Sequence, residues 1–219
     1  MACRVERRRE MKKNVKGLIL PSIMILLPIL VGVFLWERLP EQVPIHWNAA
    51  GQVDGWSGRG FFVFAMPLIM LALEWLCAFA TLTDPKKKEH GQKIFFLVIW
   101  IIPALQLVLT GITYAAALGK AVAVEVVTPI LLGVMFMAIG NYMPKCKQNY
   151  TIGIKIPWTL NSEENWNKTH RFAGKVWMIG GVLLLVLSLL GSLWFCLGIT
   201  LVMTLIPIVY SYLLHRKGI

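Results

Sequence analysis

An all-α integral membrane protein, with six transmembrane helices and both termini in the cytoplasm, is the fold class that this sequence predicts. Three observations predict it. Of 219 residues, 57% are hydrophobic and only 15% are charged, an excess that a soluble surface cannot absorb. Six windows reach the ~20 apolar residues that a bilayer span needs: Gly17–Trp36, Gly60–Leu82, Ile94–Leu118, Ala121–Ile139, Val176–Leu193 and Trp194–Leu214. The basic residues then fall almost entirely on one side of a six-span arrangement. Arg4, Arg7, Arg8, Arg9, Lys12, Lys13 and Lys16 precede the first span, and Lys86, Lys87, Lys88 and Lys93 follow the second. Lys145, Lys147, Lys155, Lys168, Arg171 and Lys175 follow the fourth, and Arg216 and Lys217 follow the sixth. The other side keeps only Arg38, Arg59 and Lys120. This is the positive-inside pattern. It accounts for the net charge of +11 without nucleic acid, so no direct nucleic-acid binding is expected.

The chain reads as a basic cytoplasmic arm (1–16) and two three-span halves. The first half is 17–118, with an outer loop at 37–59; the second is 119–219, with a cytoplasmic loop at 140–175 between helices 4 and 5. The first apolar run is too long for a signal peptide and lacks a small-residue cleavage site, so it is an uncleaved span. Met11, followed by two lysines, also suits a start site, which leaves residues 1–10 open as an extension or a disordered arm. Prolines recur within the spans (Pro21, Pro28, Pro67, Pro103, Pro129 and Pro207); membrane helices tolerate them where neighbours satisfy the freed carbonyls. The last two spans nearly touch at Gly191–Phe195 and predict a tight helical hairpin.

In the outer loop, Pro44 pushes Val43 toward extended geometry, and Val43–Trp47 predicts a short strand. Asn48–Gly51 and Asp54-Gly55 supply turn chemistry, with Gly51 and Gly55 suited to positive φ. Trp47 and Trp56 suit the headgroup level. His46 with Asp54 offers at most two metal ligands, too few for a structural zinc site. Two readings stand for this loop: a self-hydrogen-bonded cap, or a recognition surface facing outward with His46 as a pH-sensitive group. Within the second span, Glu74 is an intramembrane ionisable residue, either functional or an edge glutamate; Glu125 reads as interfacial. In the turn TDPKKKEHGQK the lysines serve as a positive-inside anchor or meet anionic lipid, and His90 is a bystander.

The 140–175 interval is the longest polar stretch between apolar runs. Asn141–Ile156 reads as non-helical, with a short strand expected at Tyr150–Ile156 and extended geometry at Ile156 before Pro157. Asn161 or Ser162 can cap a following helix, with Glu163 and Glu164 at its positive end, and Asn161 to Glu164 has capping-box spacing. Trp166, His170, Ala173 and Trp177 lie on one stripe of that helix, which runs into the fifth span. Cys77 and Cys196 lie within spans and Cys3 and Cys146 on the reducing side, so no structural disulfide is expected. No metal-ligand spacing is present and no cofactor is expected.

Two segments carry a resemblance. NYMPKCKQNYTIGIKIPWTLNSEENWNKTHRFAG resembles the signature of the SdpI family of bacterial immunity proteins. It matches at Asn141–Pro144, Asn149, Gly153, Lys155-Ile156-Pro157-Trp158-Thr159, Ser162-Glu163, Trp166 and Thr169-His170-Arg171. Upstream, LPEQVPIHWNAAGQVDGW is similar to a domain of unknown function common in the N-terminal half of such proteins, at Leu39-Pro40, Pro44, His46, Asn48, Gly51, Asp54 and Trp56. The resemblance implies a multi-pass protein of the bacterial plasma membrane, with membrane lipid and a secreted membrane-active peptide toxin as partners. For some members it also implies a cytoplasmic transcriptional repressor that is recruited to the membrane. On this reading the toxin-contact candidates are His46, Trp47, Asn48, Gly51, Asp54 and Trp56. The cytoplasmic signature is Asn141, Pro144, Asn149, Gly153, Lys155, Pro157, Trp158, Thr159, Trp166, His170 and Arg171, with Lys155, Lys168 and Arg171 suited to an acidic patch on a repressor. Changes at His46 are then expected to impair protection, and changes at Trp158 and Trp166 to impair recruitment.

The alternative is a small secondary transporter built from two inverted three-helix repeats, with Glu74 as the coupling candidate. An enzyme is not expected: there is no Ser-His-Asp set, H-E-x-x-H pair or phosphate loop, and His46 and His170 fall on opposite membrane faces in this topology.

Overall fold

The computed structural model describes residues 14–85 and 92–219. The expectations placed on the arm at 1–13, on Lys86, Lys87 and Lys88 and on His90 fall outside the described residues. Six helices are long and apolar enough to cross a membrane: Asn14–Phe34, Phe61–Thr83, Ile94–Ala117, Val124–Lys145, Glu163–Leu190 and Leu193–Arg216. All six windows read from the sequence are found. The fifth helix, however, starts at Glu163, thirteen residues before the apolar window, because its first turns bury a stripe of their own. The non-helical part of the 140–175 interval therefore shrinks to residues 146–156 and Ser162.

The chain divides into two compact units. The first comprises Met1–His46, Val53–Leu82 and Phe95–Val122. It holds α1 (Ile19–Phe34), α2 (Met66–Thr83) and most of α3 (Gln92–Ala117). One cluster of buried side chains, Leu18, Ala78, Phe95 and Ile99, draws on all three helical segments, and a second joins Leu39, Val43, Phe62, Val63 and Tyr114. Phe62 meets Tyr114 edge-on at 5.6 Å. Two α3 side chains donate to carbonyls of α1: Gln106 Nε2 to Ile25 O at 3.1 Å and Tyr114 Oη to Pro28 O at 3.0 Å. A π-helical turn, Phe61–Ala65, leads into α2 just before Pro67, where the missing N–H disturbs the regular ladder.

A two-stranded hairpin, β1 (Gln42–Trp47) and β2 (Val53–Gly58), is the β element among the described residues. The strand expected at Val43–Trp47 forms, one residue longer. The turn differs from the expected one, because Asp54 and Gly55 lie within β2 and only Gly51 takes a positive φ, of 75°. The reversal is complete by Gln52. Asn48 O accepts from Gly51 N and Asn48 N donates to Gln52 O, both at 2.9 Å, a three-residue connection closed by a left-handed glycine. Arg59 ties down the base of the hairpin: its Nη1 donates to Trp36 O and Leu39 O at 2.9 and 3.0 Å while the guanidinium stacks 4.5 Å over the Trp36 ring.

The second unit comprises Trp47–Gln52, Thr83–Ile94 and Ala123–Ile219. It contains α4 (Val124–Tyr142), a 3₁₀ turn (Met143–Lys145), the short α5 (Pro157–Asn161), α6 (Glu163–Leu187), a 3₁₀ turn (Ser188–Leu190) and α7 (Leu193–Arg216). Two glycine pairs let α4 and α6 approach closely. A Cβ on Gly133 would come within 2.8 Å of Gly181 O, and one on Gly174 within 2.8 Å of Gly140 O. Each helix spaces its pair by seven residues, so both contacts fall on one face. Leu184, Cys196 and Met203 fill the α6–α7 interface, with Trp177 Nε1 donating to Met203 O at 3.0 Å. Gly191, at φ 58°, makes the tight turn expected between the last two spans.

Candidate functional site

Residues 146–162 leave α4 and reach α6 without forming a strand. The expected strand at Tyr150–Ile156 is absent, and a physical reason is visible: side chains take the backbone donors that a neighbouring strand would have used. Tyr150 N donates to Asp84 Oδ2 at 2.8 Å, Thr151 N and Ile152 N to Asn149 Oδ1 at 2.8 and 2.6 Å, Ile154 N to His170 Nε2 at 3.1 Å, and Ile156 N to Thr159 Oγ1 at 3.1 Å. A segment whose N–H groups are satisfied by side chains has no need of a ladder.

Asn149, fully buried, is the hub. Besides the two N–H groups, its Oδ1 accepts from Thr151 Oγ1, and its Nδ2 donates to Lys147 O at 2.8 Å, Ile152 O at 2.9 Å and Cys146 Sγ at 3.4 Å. Burial pushes the Cys146 thiol up to about 11, against the opposing pull of the Asn149 donor. It is a packed, protonated thiol at neutral pH, not a nucleophile.

The floor of the loop is the first two turns of α6. Trp166, fully buried, donates from Nε1 to Cys146 O at 2.7 Å and stacks on His170 with ring centres 4.0 Å apart. The partners of His170 fix its tautomer. Trp166 O can only accept, so Nδ1 carries the proton at 2.8 Å; Ile154 N–H can only donate, so Nε2 is the bare acceptor. Gly153 is required twice over: its φ is +113°, and a Cβ there would collide with His170 Nε2 and come within 3.2 Å of the Trp166 ring. Of the stripe read from the sequence, Trp166, His170 and Ala173 are buried and Trp177 is half-buried, so the stripe is the packed face of α6.

Ile156 is extended (φ −122°, ψ 158°) before Pro157, as expected, and α5 follows. The Thr159 hydroxyl turns back to Ile154 O at 2.8 Å, and Gln148 Nε2 caps Thr159 O and Leu160 O at 2.8 and 3.0 Å. The cap of α6 is Ser162, whose Oγ accepts from Asn165 N at 3.1 Å. Asn161 cannot take that place because it is already the last residue of α5, so the Asn161–Glu164 capping box does not form. Glu164 instead pairs with Lys168 at 2.7 Å. Asn165, fully buried, joins Thr169 and Ser211 through Oδ1 at 3.0 and 2.6 Å and donates to Ser211 O and Ile219 O.

The signature residues thus divide. Asn149, Gly153, Thr159, Trp166 and His170 are brought together and build the loop. Asn141, Pro144, Lys155, Pro157 and Arg171 are exposed. Trp158 is half-buried, stacked on His215 at 5.8 Å and tilted against Tyr212 at 5.5 Å. Sequence reading missed Asp84, Gln148, Asn165 and Ser211 as members. Asp84 hides in a short basic turn, and Ser211 is an isolated serine in an apolar run.

The hairpin is organised the other way. Asn48 Oδ1 accepts from Ala50 N at 2.9 Å and Gln52 N at 3.0 Å, so Asn48 and Gly51 build the turn. His46 Nδ1 and Asp54 Oδ1 lie 2.5 Å apart across the strands, with side chains 69% and 45% exposed. Trp56 is exposed and Trp47 half-buried. Among the described residues, no group of three or more His, Cys, Asp or Glu is placed to hold a metal ion. In the first unit Glu74 is buried at 1% exposure, with Ser22 Oγ donating to Oε2 at 3.2 Å.

Six apolar helices, an exposed hairpin and a side-chain-closed loop define a multi-pass membrane protein. Comparison with protein-family models matches residues 145–211 to the SdpI/YfhL protein family and residues 23–71 to a domain of unknown function, DUF1648. The first match begins at the loop, just after Asn141 and Pro144, and runs into α7; the second spans α1, the hairpin and the start of α2. Over 203 residues the chain is 30% identical to Immunity protein SdpI of Bacillus subtilis (strain 168), covering 93% of this chain and 94% of that relative. No solved structure matches. The chain belongs to the SdpI family and is a multi-pass protein of the bacterial membrane.

Proposed function

We propose that this protein confers immunity on the cell that makes it, against a secreted peptide that attacks the membrane. The observation that carries the reading is the 30% identity to an immunity protein along nearly the whole of both chains. That likeness spans the hairpin and the closed loop together, not one segment alone. In this reading the termini and the 146–162 loop face the cytoplasm and the hairpin faces outward, as the distribution of basic residues favours.

First contact with the peptide falls to the exposed His46, Asp54 and Trp56, since Asn48 and Gly51 are spent on the turn. The cytoplasmic face offers Lys155, Lys168 and Arg171 for an acidic patch on a repressor, a role that goes with the family resemblance. The test is killing of a sensitive strain that expresses this protein in its membrane. Protection by the wild-type chain, reduced by His46→Ala with Asp54→Ala at equal membrane level, is expected. Absence of protection by correctly inserted wild-type protein against any such peptide tested would sink the immunity reading.

A further inference from the structure

We propose that Glu74 is a proton-binding site in the membrane interior, a carboxylic acid that carries its proton within the three-helix unit. Glu74 lies nine residues before the end of the span Phe61–Thr83 and thirteen after its start, about 14 and 20 Å at ~1.5 Å per residue, so it sits near mid-membrane. Its side chain is buried at 1% exposure, turned into the protein and not toward lipid.

The hydrogen bonds around it do not suit an anion. Trp75 Nε1 donates to Ser22 Oγ at 3.1 Å, and Ser22 Oγ donates to Glu74 Oε2 at 3.2 Å. That is one neutral donor for a whole carboxylate, and Glu74 Oε1 is buried with no partner. The other titratable groups on these helices are Lys16 on the turn leading into α1, Cys77 on α2, and Lys93 and Tyr114 on α3. Tyr114 spends its hydroxyl proton on Pro28 O, and Glu74 has no ion pair among the described residues. A buried carboxylate with so little compensation is far costlier than its neutral acid.

A second buried oxygen in the same unit also lacks a donor. Gln106 Oε1 has no partner, while its Nε2 is held by Ile25 O. Glu74 is tied to α1 at Ser22 and Gln106 at Ile25, so the two side chains anchor on α1 less than one turn apart. Two buried oxygens left without a donor, Glu74 Oε1 and Gln106 Oε1, favour the protonated acid. The acid supplies an O–H where the carboxylate has only lone pairs. Ser22 is a positioning residue, fixed by Trp75, that leaves Oε1 free to exchange its proton.

The probe is an apolar carbodiimide, dicyclohexylcarbodiimide, applied to the full-length protein in phospholipid vesicles and read by peptide mass mapping. The acid proton adds to a carbodiimide nitrogen and the carboxylate oxygen to its central carbon; the O-acylisourea then rearranges to a stable N-acylurea, with no other reactant and no leaving group. Labelling at Glu74 is expected, with loss of the label in Glu74→Gln and none at Glu74 from a water-soluble carbodiimide. Glu74→Gln, which mimics the neutral acid, should also keep the wild-type melting temperature. Lack of label on the wild-type protein overturns the proposal, as does equal labelling by the water-soluble reagent. Protection by sodium or potassium at constant pH also overturns it, because the two oxygens would then hold a metal cation. The wild-type map alone decides the matter if the variant does not fold. The outcome is independent of the immunity test, since neither reading requires the other.

Discussion

Asn48 and Asn149 make the same local structure and meet opposite surroundings. Each turns its side-chain oxygen back onto two backbone N–H groups a few residues ahead, Ala50 and Gln52 in one case, Thr151 and Ile152 in the other. Each is followed by a glycine at positive φ, Gly51 at 75° and Gly153 at 113°. In the hairpin the neighbouring histidine, His46, points into solvent at 69% side-chain exposure; in the loop, His170 is 1% exposed and accepts a backbone hydrogen bond. The residue types that suggested two functional surfaces therefore make one exposed surface and one structural knot. Exposure, not residue type, separates them.

The contrast is broken most severely at Asn149. Asn149→Ala removes the acceptor of the Thr151 and Ile152 N–H groups and the amide donor to the Lys147 and Ile152 carbonyls, at ~1–3 kcal/mol for each N–H left without a partner. We expect a loss of about 4 kcal/mol or more, seen as a collapse of folded yield and melting temperature in detergent. Asn48→Ala should cost only about 1 kcal/mol, because water replaces the lost acceptor at an exposed turn. Equal losses at the two positions would mean that the turn is not solvated as its exposure indicates.

The glycines give the next contrast. Gly153→Ala meets a left-handed backbone together with His170 and Trp166, whose rings are stacked and cannot both retreat; strain and overpacking together predict about 3 kcal/mol. Gly51→Ala meets the Glu125 carboxylate at 3.2 Å, the far end of a flexible side chain, and Val124 Cγ2 at an ordinary 3.7 Å, and should lose about 1 kcal/mol for the positive φ. Chemical unfolding of the two variants in mixed micelles orders them. By the same logic Trp166→Ala would fail by unfolding, so the recruitment role expected for Trp166 is better sought at Lys155 and Arg171.

What the sequence made legible follows from how local each signal is. Span positions come from bulk hydrophobic length and the β1 strand from Pro44 and its neighbours. The stripe of Trp166, His170 and Ala173 comes from helical spacing, although whether it packs inward or against lipid does not. The loop was misread as strand because the acceptors for its N–H groups lie elsewhere in the chain: Asp84 is 66 residues from Tyr150, and His170 is 16 from Ile154. Asn165 and Ser211, 46 residues apart, leave no local pattern at all. Glu74 stood out as a charge in an apolar run, but its partner Ser22 is 52 residues away. Asp54-Gly55 carries good turn chemistry, and Asn48 pre-empted it.

The smallest effect on stability should accompany the largest on function. His46 and Asp54 form an ion pair in solvent when the imidazole is protonated and a hydrogen bond when it is not, and exposed pairs of this kind contribute about 0–1 kcal/mol. His46→Ala and Asp54→Ala should therefore leave melting temperature and membrane level nearly unchanged. If the hairpin is the contact surface, both variants should lose protection against the peptide, and the double variant should lose little more than either single one, because the two side chains act as a unit. His46→Gln keeps a polar side chain of similar reach but cannot carry the charge, so it separates recognition by shape and hydrogen bonding from recognition by charge. Retention of protection by His46→Gln assigns the contact to hydrogen bonding. Full protection by all three variants at normal membrane level would move the contact surface away from the His46–Asp54 face and leave Trp56 as the exposed side chain to test there.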